Sequence, residues 1–476
     1  VHQVFTQGEC EGARYWFPCQ DRPDDRATSE LTVHMPAAWV SLAAGERTES
    51  RVDGDVRIES WRMTTPHPAY LTTLVAGEFE RQDGLAGHVP LELLLPEVWK
   101  DFGPSLAHVS GQALKYLEDL TGVPYPYAKY GTSWVEDFPF GGMENISATT
   151  LTARSLGGVR GMRDSNPYGL IAHEAAHQWF GDLLTCKDWS HIWLHEGFAT
   201  YAAAEFQRQL EGEEAHLARW RSMRLGFLAS DKGDNARPLV HDLCVDPMDL
   251  FFSGHAYQGG ALFLAYLRSY LGDDVFARGL KEYVGSNYGR SVVTRDLQLA
   301  MERASGQSLD RFFEQWANTP GHPSFESSWS YDAERGRVLI SLNQVHPRDA
   351  GMPSAYAGSL DVEIRTNEGR SLHKLLFTER RQILELPCRN LPLWVRLDPE
   401  GVFPADLVEK RGEREWIALA EAGVGEGDTE SPPYDITARL MALDHFLQDT
   451  EVIPDGLRQI RIELVRKLAQ SDPNPE

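Results

Sequence analysis

His173 and His177 stand four residues apart, with Glu174 directly after the first, in the run Asn166-Pro-Tyr-Gly-Leu-Ile-Ala-His-Glu-Ala-Ala-His-Gln-Trp-Phe-Gly181. On a helix that spacing sends both imidazoles out of one face, one turn apart. Two neutral nitrogens so placed can reach one zinc ion at about 2.0–2.1 Å. Glu174 is offset around the helix and can address a water at the metal rather than the metal itself. This is the H-E-x-x-H arrangement of zinc hydrolases. The run also carries helix punctuation. Asn166 is the expected N-cap, Pro167 the first helical residue and Gly181 the C-terminal stop.

A third ligand should come from a second helix, and Glu196 follows His177 with eighteen residues between them. Ser190 is expected to cap a helix running through Trp193-Leu-His-Glu-Gly-Phe-Ala-Thr-Tyr201, after a turn at Lys187-Asp-Trp-Ser190. A helical hairpin of that length returns Glu196 to the histidines. Two histidines and one glutamate leave a fourth position open, which marks a catalytic rather than a structural zinc, one ion per chain.

The elements that must position these residues follow from periodicity. Up to about residue 88 the chain reads as β structure, with Leu31–Met35, Val56–Trp61 and Tyr70–Val75 as short branched or aromatic runs between turns. From Gly103 the period changes: Leu106, Val109, Leu114, Leu117 and Leu120 line one face of a helix ending near Gly122 and Pro124. Helical patterns then dominate to about Asn318, including Leu262–Leu271 and Phe276–Val284. Strands return at Val338–Leu342, Leu360–Ile364, Leu372–Phe377 and Leu393–Leu397, whose alternation suits a small β-sandwich. Helix signals come back in Trp416–Ala422 and Ile436–Leu447, separated by a Gly-, acid- and Pro-rich linker at Gly423–Pro433.

Bulk properties narrow the partners. At 476 residues the chain exceeds one core. No apolar run approaches the roughly 20 residues of a membrane-spanning helix. Basic side chains number 46 against 70 acidic, a net charge of −24, which repels phosphate backbones and makes nucleic acid an unexpected partner. The five cysteines (Cys10, Cys19, Cys186, Cys244 and Cys388) form no C-x-x-C pair, so neither a disulfide framework nor a cysteine metal site is expected.

At this point the chain resembles the M1, or gluzincin-type, zinc aminopeptidases. Their H-E-x-x-H-x18-E pattern matches His173, Glu174, His177 and Glu196, and their G-x-M-E-N loop matches Gly141-Gly-Met-Glu-Asn145. Their catalytic tyrosine before a glycine-containing helix start matches Tyr257-Gln-Gly-Gly260. An upstream signature matches Thr6-Gln-Gly-Glu9 and Arg14-Tyr-Trp-Phe-Pro-Cys-Gln-Asp21. The resemblance implies an α+β multidomain fold. It comprises a partial β-rich N-terminal domain (1–88), a thermolysin-like α/β zinc catalytic domain (89–321), a β-sandwich (322–404) and the start of a helical C-terminal domain (405–476). On this reading the chain begins inside its first domain and holds only the opening of its last.

The resemblance implies removal of the N-terminal residue from peptides with a free N-terminus. Glu174 would be general base and acid, and Tyr257 the donor to the oxyanion. Glu9 and Glu144 would clamp the substrate's ammonium at a fixed distance from zinc, with Gln7 adding a neutral hydrogen bond. Gly141, Gly142 and Met143 would bring main chain close to the substrate, which would pair as an added strand. Two rivals follow from the same motifs. An endopeptidase would share the zinc set without needing Glu9 and Glu144, and a silent scaffold would be expected to have lost a ligand or Glu174.

The chain also departs from the family. His195 stands where relatives usually carry Asn. Helix geometry turns it roughly 100° from Glu196, so it reads as lining the pocket or backing the metal rather than as a ligand. Ala203 replaces a residue that is often acidic, with Glu205 nearby.

Overall fold

A computed structural model describes residues 2–157, 166–242, 246–347, 351–421 and 436–448, with single positions 462 and 466. The chain divides into two units, one formed by residues 1–209 and 237–318, the other by 210–236 and 319–476.

In the first unit, strands β1 (Gln3–Phe5), β2 (Arg26–Pro36), β3 (Val40–Ala43), β4 (Glu46–Asp53), β5 (Val56–Pro68) and β6 (Leu74–Gly77) make two antiparallel sheets, ordered β1-β6-β3 and β2-β5-β4. Strands β7 (Glu80–Ala86), β8 (Val89–Leu95), β9 (Tyr130–Val135), β10 (Gly142–Met143) and β11 (Ala148–Thr152) form a third, ordered β10-β11-β9-β8-β7. Its centre is parallel: β8 pairs with β9 and β9 with β11. Every residue of β9 and β11 is buried, so neither strand alternates. This is why they lie hidden in a stretch whose periodicity reads as helical. Two-residue strands β12 (Thr185–Cys186) and β13 (Ser291–Val292) pair in parallel.

Helix α1 (Gly103–Thr121) buries Leu106, Val109, Leu114 and Leu117 as its period predicts. Gly122 closes it in the left-handed region, φ 70°, its N–H bonded to the Glu118 carbonyl. Helices α2 (Tyr168–His177) and α3 (Trp193–Glu211) supply the site. Helix α4 (Glu213–Ser230) falls in the second unit, whereas α5 (Gly260–Leu271), α6 (Asp273–Ser286) and α7 (Thr294–Ser305) belong to the first. Gly197 of α3 meets Gly260 of α5 so closely that a Cβ on Gly197 would lie 2.8 Å from the Gly260 Cα. Only glycine permits that crossing.

The second unit carries strands β14 (Ser324–Asp332), β15 (Arg337–Gln344), β16 (Gly358–Thr366), β17 (Gly369–Phe377), β18 (Arg381–Pro387), β19 (Trp394–Leu397) and β20 (Asp406–Glu409). They form sheets ordered β18-β15-β14-β20 and β17-β16-β19. Val338, Ile340 and Leu342 alternate inward on β15. Phe325 on β14 meets Phe377 on β17 at 5.4 Å, edge to face, joining the two sheets. Helices α8 (Glu413–Ala420) and α9 (Ile436–Gln448) follow. Leu419, Ala420, Ala438 and Ala442 bury against Trp394. The linker read at Gly423–Pro433 lies outside the described residues. The α+β multidomain class is thus present, with a β-rich N-terminal portion and a sandwich. Among the described residues no helix is long and apolar enough to cross a membrane.

Candidate active site

The first histidine helix begins one residue later than its sequence suggests. Pro167 occupies the cap position, while the Asn166 side chain accepts from the Tyr168 N–H at 3.1 Å. It also stops earlier, at His177 rather than near Gly181, because the chain turns sharply from Gln178 to Leu184. The Leu184 N–H bonds the Trp179 carbonyl, and the Gly181 N–H bonds the Leu184 carbonyl. Gly181 adopts φ 148°, and a Cβ there would press on the His177 main chain and ring. That turn delivers the Phe180 carbonyl to His177 Nδ1 at 3.0 Å. A carbonyl can only accept, so His177 carries a proton on Nδ1, and the neutral ring then presents the Nε2 lone pair to a metal.

The return to α3 also differs in detail. Ser190, expected to cap α3, lies instead inside a short 3₁₀ turn, Trp189–His191, that precedes the helix, and Asp188 caps that turn by accepting from the Ser190 N–H. Both are good capping residues. Asp188 takes the role because it holds the extended backbone of a cap, while Ser190 is already inside the turn. Phe180 stacks on Phe198 of α3 at 4.3 Å and 5°, which packs the hairpin shut.

The hairpin brings His173, His177 and Glu196 together. His173 Nε2, His177 Nε2 and Glu196 Oε2 form a triangle with edges of 3.1, 3.2 and 3.5 Å. Tetrahedral ligands about 2.0–2.1 Å from one ion stand about 3.3 Å apart, so the donor set fits zinc. Among the described residues two further groups have donor atoms within 4.8 Å of one another: Glu9, Glu144 and His195, and Glu144, Glu174 and His177.

Glu174 is buried, with Oε2 unpartnered among the described residues. Burial, reinforced by Glu144 and Glu196 against His177, raises its pKa well above the carboxylate range. Gly142 lies against it: a Cβ there would sit 2.4 Å from Glu174 Oε1. Gly142 and Met143 make β10, the edge of its sheet, paired to Leu151 and Thr150 of β11. Gly141 accepts from the Thr152 N–H at 2.9 Å.

Glu144 and Glu9 lie beside the same group, and burial raises both their pKa values. Gln7 donates its amide to Met143 Sδ at 3.2 Å, which leaves its oxygen free. Gln7 Oε1, Glu9 Oε1 and Glu144 Oε1 are buried acceptors, none with a hydrogen-bond partner among the described residues, although Glu144 Oε1 lies 3.9 Å from His177 Nδ1. Tyr257 sits in a π-turn, His255–Gly259, leading into α5. Its ring stacks on His173 at 6.1 Å and 15°. Burial and the carboxylates of Glu196, Glu9, Glu144 and Glu174 raise its pKa, so its hydroxyl keeps its proton.

Gln178 was not singled out in the sequence, although it directly follows His177. Fully buried, it donates to the Glu144 carbonyl at 2.8 Å and accepts from the Ser147 N–H at 2.9 Å. It therefore ties the Glu144 loop to the histidine helix. Asp182 was also unforeseen. Both its oxygens are buried and unpartnered among the described residues, and burial raises its pKa. Glu205 pairs with Arg268 at 2.8 Å. Cys10, Cys19, Cys186 and Cys388 are free thiols, and Cys244 lies outside the described residues.

Residues 106–316 match the peptidase family M1 domain, and residues 1–71 the peptidase M1 N-terminal domain. The chain is 30% identical to leukotriene A-4 hydrolase of Xenopus laevis over 361 residues, covering 72% of this chain and 56% of that protein. It is 29% identical to aminopeptidase M1 of Arabidopsis thaliana over 349 residues, covering 71% and 40%. The chain thus spans about half the length of the curated relatives it matches. In fold it is similar to Legionella pneumophila aminopeptidase A, solved with aspartic acid, at a TM-score of 0.81 and 18% identity over 99% of this chain and 55% of that one. Matched at both its N-terminal and its histidine-bearing segments, the chain belongs to peptidase family M1.

Proposed function

We propose that this protein is a zinc-dependent aminopeptidase that removes the N-terminal residue from peptides with a free N-terminus. One observation carries the reading beyond hydrolysis in general. Three buried acceptor oxygens, on Gln7, Glu9 and Glu144, lack hydrogen-bond partners among the described residues, and the Glu9 and Glu144 carboxylates lie in groups that include His195 and the metal-ligand His177. A substrate ammonium has three N–H donors and a positive charge, and would satisfy all three. Its α-amino pKa of about 8 keeps much of it cationic near neutrality. Holding that terminus aligns the first peptide bond with the catalytic groups.

His173, His177 and Glu196 would hold the zinc, with the Phe180 carbonyl orienting His177. When bound, zinc supplies a Lewis acid that polarises the scissile carbonyl and acidifies the attacking water. Glu174 takes the proton from that water and passes it to the leaving amine. A raised pKa suits a carboxylate to both tasks. Tyr257, kept protonated, donates to the oxyanion. As the edge strand of its sheet, β10 offers main-chain groups to the substrate backbone.

The test compares one peptide with its N-acetylated form. Acetylation removes the cation and adds bulk at the clamp, so the free peptide should be cut and the blocked one left intact. Equal cleavage would identify an endopeptidase instead. Glu196→Ala should cost metal rather than chemistry, since two imidazoles alone trap zinc poorly. Elemental analysis should find the purified variant well below one zinc per chain, and full occupancy would remove Glu196 from the ligand set. Gly142→Ala should keep its zinc but lose turnover, because the new methyl occupies the Glu174 carboxylate's place. A displaced catalytic group can cost about 10²-fold, to be read as kcat at unchanged metal content.

A further inference from the structure

His195 lies on α3 one residue before Glu196 and is fully buried. Its Nε2 accepts the Cys186 main-chain N–H at 2.6 Å. An amide N–H can only donate, so Nε2 holds a lone pair and the neutral ring carries its proton on Nδ1. That Nδ1 is buried and has no partner among the described residues. A ring nitrogen of His195 and carboxylate oxygens of Glu9 and Glu144 all lie within 4.8 Å of one another. Glu9 Oε1 and Glu144 Oε1 are themselves buried acceptors without donors. An orphan donor and two orphan acceptors therefore belong to three buried side chains that lie close together, and buried polar groups are rarely left so.

The same three residues could be read as a second cation site. The tautomer argues against it, because a nitrogen that carries a proton has no lone pair to give a metal. We propose that His195 donates its Nδ1 proton to the Glu9–Glu144 pair and is a positioning residue for the substrate's N-terminus. By occupying one lone pair it orients the carboxylates so that their remaining lone pairs, with Gln7, meet the ammonium. This rests on the clamp proposed above and adds a residue to it that does not touch the scissile bond.

The test uses the zinc-loaded protein and an unreactive primary amine, isoamylamine, with N-acetyl-isoamylamine as its control. His195→Met removes donor and acceptor together. His195→Gln keeps one of each at nearly the imidazole spacing. The Met variant should retain wild-type zinc, bind isoamylamine about tenfold or more weakly, and raise KM for a free-amine substrate more than it lowers kcat. The Gln variant should recover most of that loss. Unchanged amine affinity in the Met variant, no recovery with Gln, or zinc lost with Met would each overturn the assignment. Should neither variant fold, ¹⁵N spectra of the wild-type histidines decide: Nδ1 of His195 should be protonated and shift on adding isoamylamine. The opposite tautomer, or an unmoved resonance, overturns it. Failure of the clamp itself reads differently, since wild type would then cut free and N-acetylated peptides equally.

Discussion

Glu174→Gln is expected to keep its zinc and its fold while turning over about 10²–10⁴-fold more slowly than wild type. The amide copies the carboxylate's size, so the cradle left by Gly142 remains filled. It cannot accept a proton from water or return one to the leaving amine. Its Oε2 is buried with no hydrogen-bond partner among the described residues, which leaves it available for the proposed proton transfer. The loss should fall on kcat, because Glu174 does not grip the N-terminus. The measurement is kcat on an amino-acid amide alongside zinc content. A variant as fast as wild type would remove Glu174 from the chemistry.

Glu144→Ala should be nearly as severe, by a different route. Its carboxylate is buried and would pair with an ammonium that has left water. Removing one partner of such a pair costs about 2–5 kcal/mol, or roughly 30-fold to several thousandfold in kcat/KM. KM should rise as well as kcat fall, since an unanchored terminus lets the carbonyl drift from its alignment. Glu9→Ala should act in the same direction. The double variant should lose less than the two single losses combined, because both carboxylates serve one ligand group. Additive losses would show that they act on separate features, and a Glu144→Ala enzyme near wild type would dismiss the clamp.

The amino-acid pattern alone carried much of this. Two histidines four apart on a helix must share a face, and eighteen intervening residues suffice for a hairpin that returns Glu196 to them. Sandwich strand β15 showed through because it has one wet and one dry face, as its alternating burial records. Strands β9 and β11 did not, because both faces of each are covered and nothing alternates. Helix ends were misplaced by a few residues for a related reason. Asp188 and Ser190 are equally able caps, and the choice fell to the backbone conformation of the chain arriving there.

What local pattern could not supply was coincidence in space. Gln7, Glu9, Glu144, His195 and Tyr257 are separated by up to 250 residues, so their distances follow from how sheets and helices pack, not from any period. The tautomers of His177 and His195 are decided by single partners, the Phe180 carbonyl and the Cys186 N–H. The need for glycine at 142, 181 and 197 appears only once the neighbours are in place: the Glu174 carboxylate, the His177 ring and the Gly260 backbone. Periodicity encodes which way a side chain leaves its own element, whereas hydrogen bonding and close packing between elements set what it meets there.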